Sequence, residues 1–270
     1  MLAIKNNLMA ANAARHLGES YDALATSVER LSSGLRINDA KDDAAGLAVR
    51  ELMRADIAVL QQGARNALDG ISLVQVAEGG MQTIDNLLVR MKQLAEQAAT
   101  GAYSSAQRSI MNSEATELAN EIERISGSAK FNDISLLNSA SGTVSIVFGD
   151  STDIITIDTA DMTKSGLGID TLDIGGAASA QAALAIMDTA ISNATTARAA
   201  FGYKMKRLES TVEVINAQAE NLQAAESRIS DVDVATEMSV MTRNQVLANA
   251  GVAMLAQANT IPQMALTLLR

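Results

Sequence analysis

From Ile57 to Ala98 apolar side chains recur at steps of three or four residues without a break: Ile57, Leu60, Ala64, Ala67, Ile71, Val74, Ala77, Met81, Ile84, Leu88, Met91, Ala95 and Ala98. This spacing puts them all on one face of an α-helix. At 1.5 Å per residue the stretch is a rod of roughly 60 Å, far longer than the ~3–4 turns of an average globular helix. A rod this long cannot fold back into a ball. It has to lie beside other rods, from its own chain or from neighbours.

The composition agrees with close helix packing. Alanine, the best helix former, occurs 48 times, while aromatic residues are three Tyr, three Phe and no Trp. Large aromatics supply much of the buried area of thick globular cores, so such a core is not expected. Proline, which breaks helix interiors, appears once, at Pro262.

Further stripes flank the first. An amino-terminal helix has Ala10, Ala13, Leu17, Tyr21, Leu24, Val28, Leu31 and Leu35 on one face, then punctuation at Ser33-Gly34 and Asn38-Asp39. The long second helix is read from about Ala44 to Ala99. A third follows the cap signal Ser104-Ser105, with Met111, Ala115, Leu118, Ile122 and Ile125 inward and its end at Gly127. A fourth restarts near Ala177 and carries Leu184, Met187, Ile191, Ala194, Arg198, Phe201, Met205, Leu208, Val212, Ile215, Ala219, Leu222, Glu226 and Ile229. Arg198 and Glu226 interrupt its apolar pattern, and their long stems can cover apolar surface. The fifth has Val240, Asn244, Leu247, Gly251, Met254, Ala258, Ile261, Ala265 and Leu268. Sustained heptads favour coiled-coil-like pairing.

Between the third and fourth helices the period changes to two. Thr143–Phe148 and Asp153–Asp158 read as strands of a β-hairpin with Gly149-Asp150-Ser151-Thr152 as its loop. Lys130–Leu137 reads as a further short strand or turn. The fold expected is mainly α: long antiparallel coiled-coil-like helices with a small β-hairpin module, elongated. Residues 1–42 and 232–270 are expected to pair as terminal helices. Residues 43–231 then form the long-helix rod, with the hairpin region at about 130–175. An isolated helix pair leaves apolar surface wet, which marks interaction sites, so the terminal helices are expected to order on assembly.

Charge narrows the partners. The net of −10 and pI near 4.6 argue against nucleic acid. Residues 126–175 hold seven Asp against two Lys, which makes that segment the candidate outer, solvent-facing region. Cysteine is absent, so neither disulfides nor thiolate metal sites are available. No run approaches ~20 apolar residues, so no membrane insertion is expected. The start, Met1–Ala10, lacks the basic head and apolar run of a cleaved secretory signal.

Reaction chemistry finds no support. His16 is the single histidine and lies beside Leu17 on a helix, a structural position, and no G-x-S-x-G nucleophile elbow occurs. The cluster Asp39, Asp42, Asp43 lacks the EF-hand pattern and precedes a helix, where carboxylates favour the macrodipole. Gly79-Gly80 and Gly175-Gly176 match no nucleotide-binding fingerprint. The sequon Asn193-Ala194-Thr195 lies in a predicted helix. We expect no catalytic, cofactor-binding or metal site, and no enzyme.

Three ordered strings carry a resemblance. Leu31-Ser-Ser-Gly-Leu-Arg-Ile-Asn38 with Asp39-Ala-Lys-Asp-Asp-Ala-Ala-Gly-Leu-Ala48, then Arg65-Asn-Ala-Leu-Asp-Gly-Ile-Ser-Leu-Val-Gln-Val-Ala-Glu-Gly79, and finally Ala253-Met-Leu-Ala-Gln-Ala-Asn259 through Pro262-Gln to Leu268-Leu-Arg270 resemble bacterial flagellin. The likeness covers residues 1–135 and 177–270, and only about 45 residues remain between its halves, so it implies a minimal form without large outer domains. It implies a subunit that polymerises into the flagellar filament and serves motility; the alternative is a hook-filament junction protein of the same family. The terminal helices, with Leu17, Tyr21, Leu24, Val28, Leu31, Leu35, Leu247, Met254, Ile261 and Leu268, would form the inner core of that polymer. It implies an extracellular location, reached through a type III export apparatus without a cleaved signal peptide. Implied partners are the chain itself, hook-filament junction and cap proteins, and an export chaperone. A vertebrate Toll-like receptor is also implied, since Arg90, Leu94 and Glu114 match the family's contact motif. Glu117 and Leu118 depart from the Gln and Arg of enteric flagellins.

Overall fold

The computed structural model describes residues 6–139, 141–149 and 152–268; the side chains of 262, 263 and 265–268 lie outside that description. The element order is α1 (Leu8–Ser33), α2 (Ala44–Ala99), α3 (Ser105–Ser128), β1 (Lys130–Phe131), β2 (Ile134–Ser135), β3 (Thr143–Val147), β4 (Ile154–Asp158), α4 (Lys164–Leu167), α5 (Ala177–Ser230) and α6 (Val234–Leu268). The fold is mainly helical with the expected β3–β4 hairpin and a second small hairpin, β1–β2, where the sequence reads as a short strand or turn. The short α4 carried no periodic signal.

Helix ends follow local chemistry. The Asn7 side chain accepts from Ala10 N–H at the start of α1, and Gly34, at φ 74°, closes it in the left-handed conformation that glycine adopts freely. Leu35, expected as the last stripe residue, therefore leaves the helix and forms a β-bridge with Asp231. Asp42 accepts from the N–H groups of Asn38 and Asp39, while Asp43 accepts from Gly46 N–H at 2.9 Å. The acidic cluster thus shapes a turn and starts α2. Ser104 and Gln107 form a reciprocal capping box on α3.

The chain divides into two compact units, one holding the residues up to Ile57 and from Glu220 on, the other Ala58–Ala219. The division falls inside α2 and α5.

In the central unit, the α2 stripe is inward as expected: Leu60, Ala64, Ala67, Val74, Ala77, Met81, Ile84, Leu88, Met91, Ala95 and Ala98 are all buried. Opposite them lie Met187, Ala194, Phe201 and Leu208 of α5, and Ala119, Ile122 and Ile125 of α3 complete the cluster. β1 and β2 pair antiparallel around Asn132 and Asp133, whose φ values of 49° and 64° have the signs of a type I′ turn. β3 pairs with β4 in the register Thr143↔Asp158 to Val147↔Ile154. Phe148 falls just outside the strand but still donates its N–H to Asp153 O. Of the expected loop, Asp150 and Ser151 lie outside the described residues.

The acidic segment is not simply an outer region. Leu136, Leu137, Ile155, Ile157, Met162, Leu167 and Ile169 from it are buried in the same core. Its alternation sends apolar side chains inward and leaves Asp133, Asp153, Asp158, Asp170 and Asp173 exposed. Net charge reported the solvent face and was silent on the other.

Small residues on α2 receive the β3–β4 hairpin. A Cβ on Gly63 would collide with the Phe148 carbonyl, and one on Gly70 would come within 3.1 Å of Ile146 Cγ1. Between them Asn66 Nδ2 donates to Val147 O at 2.9 Å.

Candidate functional site

The terminal unit is built on a different principle. α1 and α6 approach to Cα separations of 8 Å or less, and small residues line the α6 side of the seam. Ala248 and Ala258 are buried in it, and a Cβ on Gly251 would sit 3.1 Å from Leu17 Cδ1. The pair is antiparallel: Asn7 Nδ2 donates to Ala258 O at 2.7 Å at one end, and Arg30 faces Glu237 at 3.7 Å at the other.

Several large apolar side chains point away. Leu8 is 71% exposed, Val246 61% and Met254 59%. Of the residues expected to carry assembly, Leu17, Leu24, Leu31, Leu35 and Ile261 are half-buried. Tyr21, Val28, Leu247 and Met254 are exposed, and the side chain of Leu268 lies outside the described residues. Ala248, one residue and ~100° further round the helix than Leu247, turns inward.

Periodicity also missed a clasp between the two connectors. Arg36 N–H donates to Ser230 O at 2.6 Å, Val232 N–H donates to Gly34 O at 3.0 Å, and Arg36 Nη2 donates to Ile229 O at 2.7 Å. The two Arg36 bonds supply partners for carbonyls at the end of α5, and the Val232 bond for the carbonyl of the α1 cap, none of which an intrahelical N–H can reach. The sequence signal was the string Gly34-Leu35-Arg36, a left-handed cap followed by a long donor. Asp233 starts α6 by accepting from the Thr236 hydroxyl and from the N–H groups of Thr236 and Ala235. These bonds hold its carboxyl below the usual range, the Thr236 side-chain bond acting most strongly.

The suspected receptor residues separate. Arg90 and Glu114 form an exposed pair, with Nε and Nη2 at 3.0 and 2.6 Å from one carboxylate oxygen. Leu94 is 2% exposed, packed with Ala95, Ala115 and Ile174, so it supports that face from beneath. His16 is exposed beside Glu19 at 3.0 Å. Among the described residues, no group of three or more His, Cys, Asp or Glu is placed to hold a metal, and no helix is long and apolar enough to cross a membrane.

Arg198 does more than cover apolar surface. Nε and Nη2 reach Glu78 Oε1 at 3.0 and 2.6 Å, Nη1 reaches Asp85 Oδ2 at 2.5 Å, and Nη2 also meets Gln82 Oε1 at 2.7 Å. Hydrogen bonds to Glu78, then Asp85, raise its already high pKa.

The chain matches known proteins in sequence and, over part of its length, in fold. The bacterial flagellin N-terminal helical region matches residues 4–141, and the bacterial flagellin C-terminal helical region matches residues 184–269. The chain belongs to the bacterial flagellin family. This flagellin is 42% identical over 270 residues to a flagellin of Halalkalibacterium halodurans, covering 99% of both chains. It is 41% identical to the flagellar filament 33 kDa core protein of Treponema phagedenis over 286 residues, again covering 99% of each. Among solved structures, Bacillus cereus flagellin matches with TM-score 0.52 and 32% identity, over 60% of this chain and 94% of that one. A putative flagellar hook-associated protein from Vibrio parahaemolyticus matches with TM-score 0.60 over 70% and 100% of the two chains; at 14% identity it shows a shared fold only. At 270 residues, matched nearly end to end, this flagellin is a minimal form.

Proposed function

We propose that this flagellin builds the flagellar filament by burying the exposed faces of α1 and α6 between copies. Its role is that of a structural subunit of the extracellular filament, serving motility. The observation that carries the reading is the row of outward apolar side chains, Leu8, Tyr21, Val28, Val246, Leu247 and Met254, on a helix pair whose seam holds small residues. Exposed apolar surface on that scale is an interaction site. A filament needs contacts that do not close on themselves, with one surface of a copy meeting a different surface of the next. Two terminal helices with apolar flanks supply such surfaces.

The same faces are what an export chaperone would cover before assembly, and what hook-filament junction and cap proteins would meet at the filament ends. Export through a type III apparatus, with the amino terminus retained, belongs to this reading. Mass spectrometry of filament protein should find residue 1 or 2 as its start; a start further in would refute an intact terminus. Recognition by a vertebrate Toll-like receptor is proposed on the Arg90–Glu114 pair alone, since Leu94 is not a surface group. A reporter-cell response to monomer that Arg90→Ala abolishes would support it, and silence at micromolar dose would remove it.

The decisive experiment for assembly is deletion of residues 240–270. Filaments should be lost in electron micrographs while the central unit keeps its helical circular dichroism. A truncated chain that still forms filaments of normal length would sink the proposal.

A further inference from the structure

We propose that Arg198 is a positioning residue that sets the register of α5 against α2 in the central unit. Apolar heptads alone do not determine which turn of one helix faces which turn of the other. A slide of seven residues, about 10 Å, again brings apolar stripe against apolar stripe. A single polar residue placed in such a stripe can choose among these registers. Arg198 is that residue here: it interrupts the α5 stripe between Ala194 and Phe201, both buried. Its guanidinium fork spans Glu78 and Asp85, carboxylates seven residues apart on α2, and Gln82 between them accepts a further bond.

The neighbouring registers fail on named residues. Sliding one heptad one way would set Arg198 against Asp85, Val89 and Lys92, replacing a carboxylate by a like charge. Sliding the other way would set it against Ile71, Gln75 and Glu78, leaving one carboxylate and an isoleucine. The second cross-pair obeys the same arithmetic. Lys92 Nζ lies 2.5 Å from Asp188 Oδ1 in the observed register, and would face Gln181 or Thr195 after either slide. That pair is more exposed than the Arg198 cluster, and exposed pairs contribute little. Arg198 therefore carries the choice. A filament needs this, because copies in different registers would present different surfaces to their neighbours.

The chain contains no cysteine, so Gln75→Cys and Ala185→Cys on exposed faces of α2 and α5 accept spin labels at unique sites. In the full-length protein they should report one distance. Arg198→Met keeps the apolar stem and removes the fork. It should retain helical circular dichroism but split the distance distribution, with added populations displaced by about 10 Å. A single unchanged distance in folded Arg198→Met would overturn the proposal. Should Arg198→Met fail to fold, Glu78→Gln with Asp85→Asn preserves shape and removes both anions. The same split supports the proposal and an unsplit distance overturns it. The exposed variant Asp188→Ala should leave one distance; a split there as large as in Arg198→Met would transfer the role away from Arg198 and overturn it equally.

Discussion

The central and terminal units are made from similar alanine-rich, heptad-patterned helices, yet they treat apolar side chains in opposite ways. In the central unit Met81, Ile84, Leu88 and Met91 are fully buried among residues of α3, α5 and the hairpins. Among the described residues of the terminal unit, the buried apolar ones are Ile37, Ala248 and Ala258, while Leu8, Val246 and Met254 face outward. The difference lies in the number of layers. The central α2 stripe shares its core with α3, α5, the short α4 and two hairpins, so large side chains find cover within one chain. α1 and α6 have each other. Two helices that approach closely bury small residues and leave large ones outside. One unit covers its large apolar side chains by folding, and the other leaves several of them exposed.

Matched truncations test that contrast most severely. Leu88→Ala should destabilise the monomer by roughly 2–5 kcal/mol, the usual cost of a cavity in a packed core, read as a lower thermal midpoint. Met254→Ala should move monomer stability by no more than about 0.5 kcal/mol, yet raise the protein concentration needed for filament growth. If both variants lowered the monomer midpoint equally, the two units would not differ as described.

Gly63→Ala should have the next largest effect. Its new methyl group meets the Phe148 carbonyl, which is backbone and cannot rotate away. Overpacking of this kind costs about 1–3 kcal/mol, and hydrogen exchange should rise in β3 and β4. Gly18→Ala should act the other way. Nothing lies within 4 Å of the added methyl in α1, so the helix gains about 0.5–1 kcal/mol of intrinsic propensity. Monomer circular dichroism should show more helix.

The smallest effect concerns acid. Asp233, at the start of α6, has its carboxyl pKa lowered by hydrogen bonds from Thr236 and Ala235. The stability it lends is therefore fully present above the unfolded aspartate value of about 3.9, and is lost as pH falls through the lower folded value. Asp233→Asn should remove that part of the pH dependence while keeping a cap. Titration curves of α6 helicity that superimpose for both proteins below pH ~4 would show that Asp233 does not contribute.

Sequence periodicity located α2 from Ala44 to Ala99 and the inward face from Leu60 to Ala98, because 3.6-residue geometry acts within one segment. The Ser104 cap, the Asp42-Asp43 helix start and the two strands were legible for the same reason: their partners are a few residues away. The flagellin resemblance rested on ordered strings, and their physical content now has parts. Gly34 and Arg36 form the clasp, Gly70 and Asn66 hold the hairpin, and Glu78 pairs with Arg198.

What the chain could not declare alone were choices among equivalent surfaces. Leu247 and Ala248 are both apolar and adjacent, and Ala248 is the one that turns inward. Leu94 looked like a surface residue until α3 and Ile174 covered it. Arg198 looked like a flaw in a stripe until two carboxylates from 113 and 120 residues away met it. Local geometry follows from neighbours in the chain, so the sequence determined the rods and their apolar faces. Which face meets which depends on distances between segments far apart in sequence, and only the tertiary structure decided it.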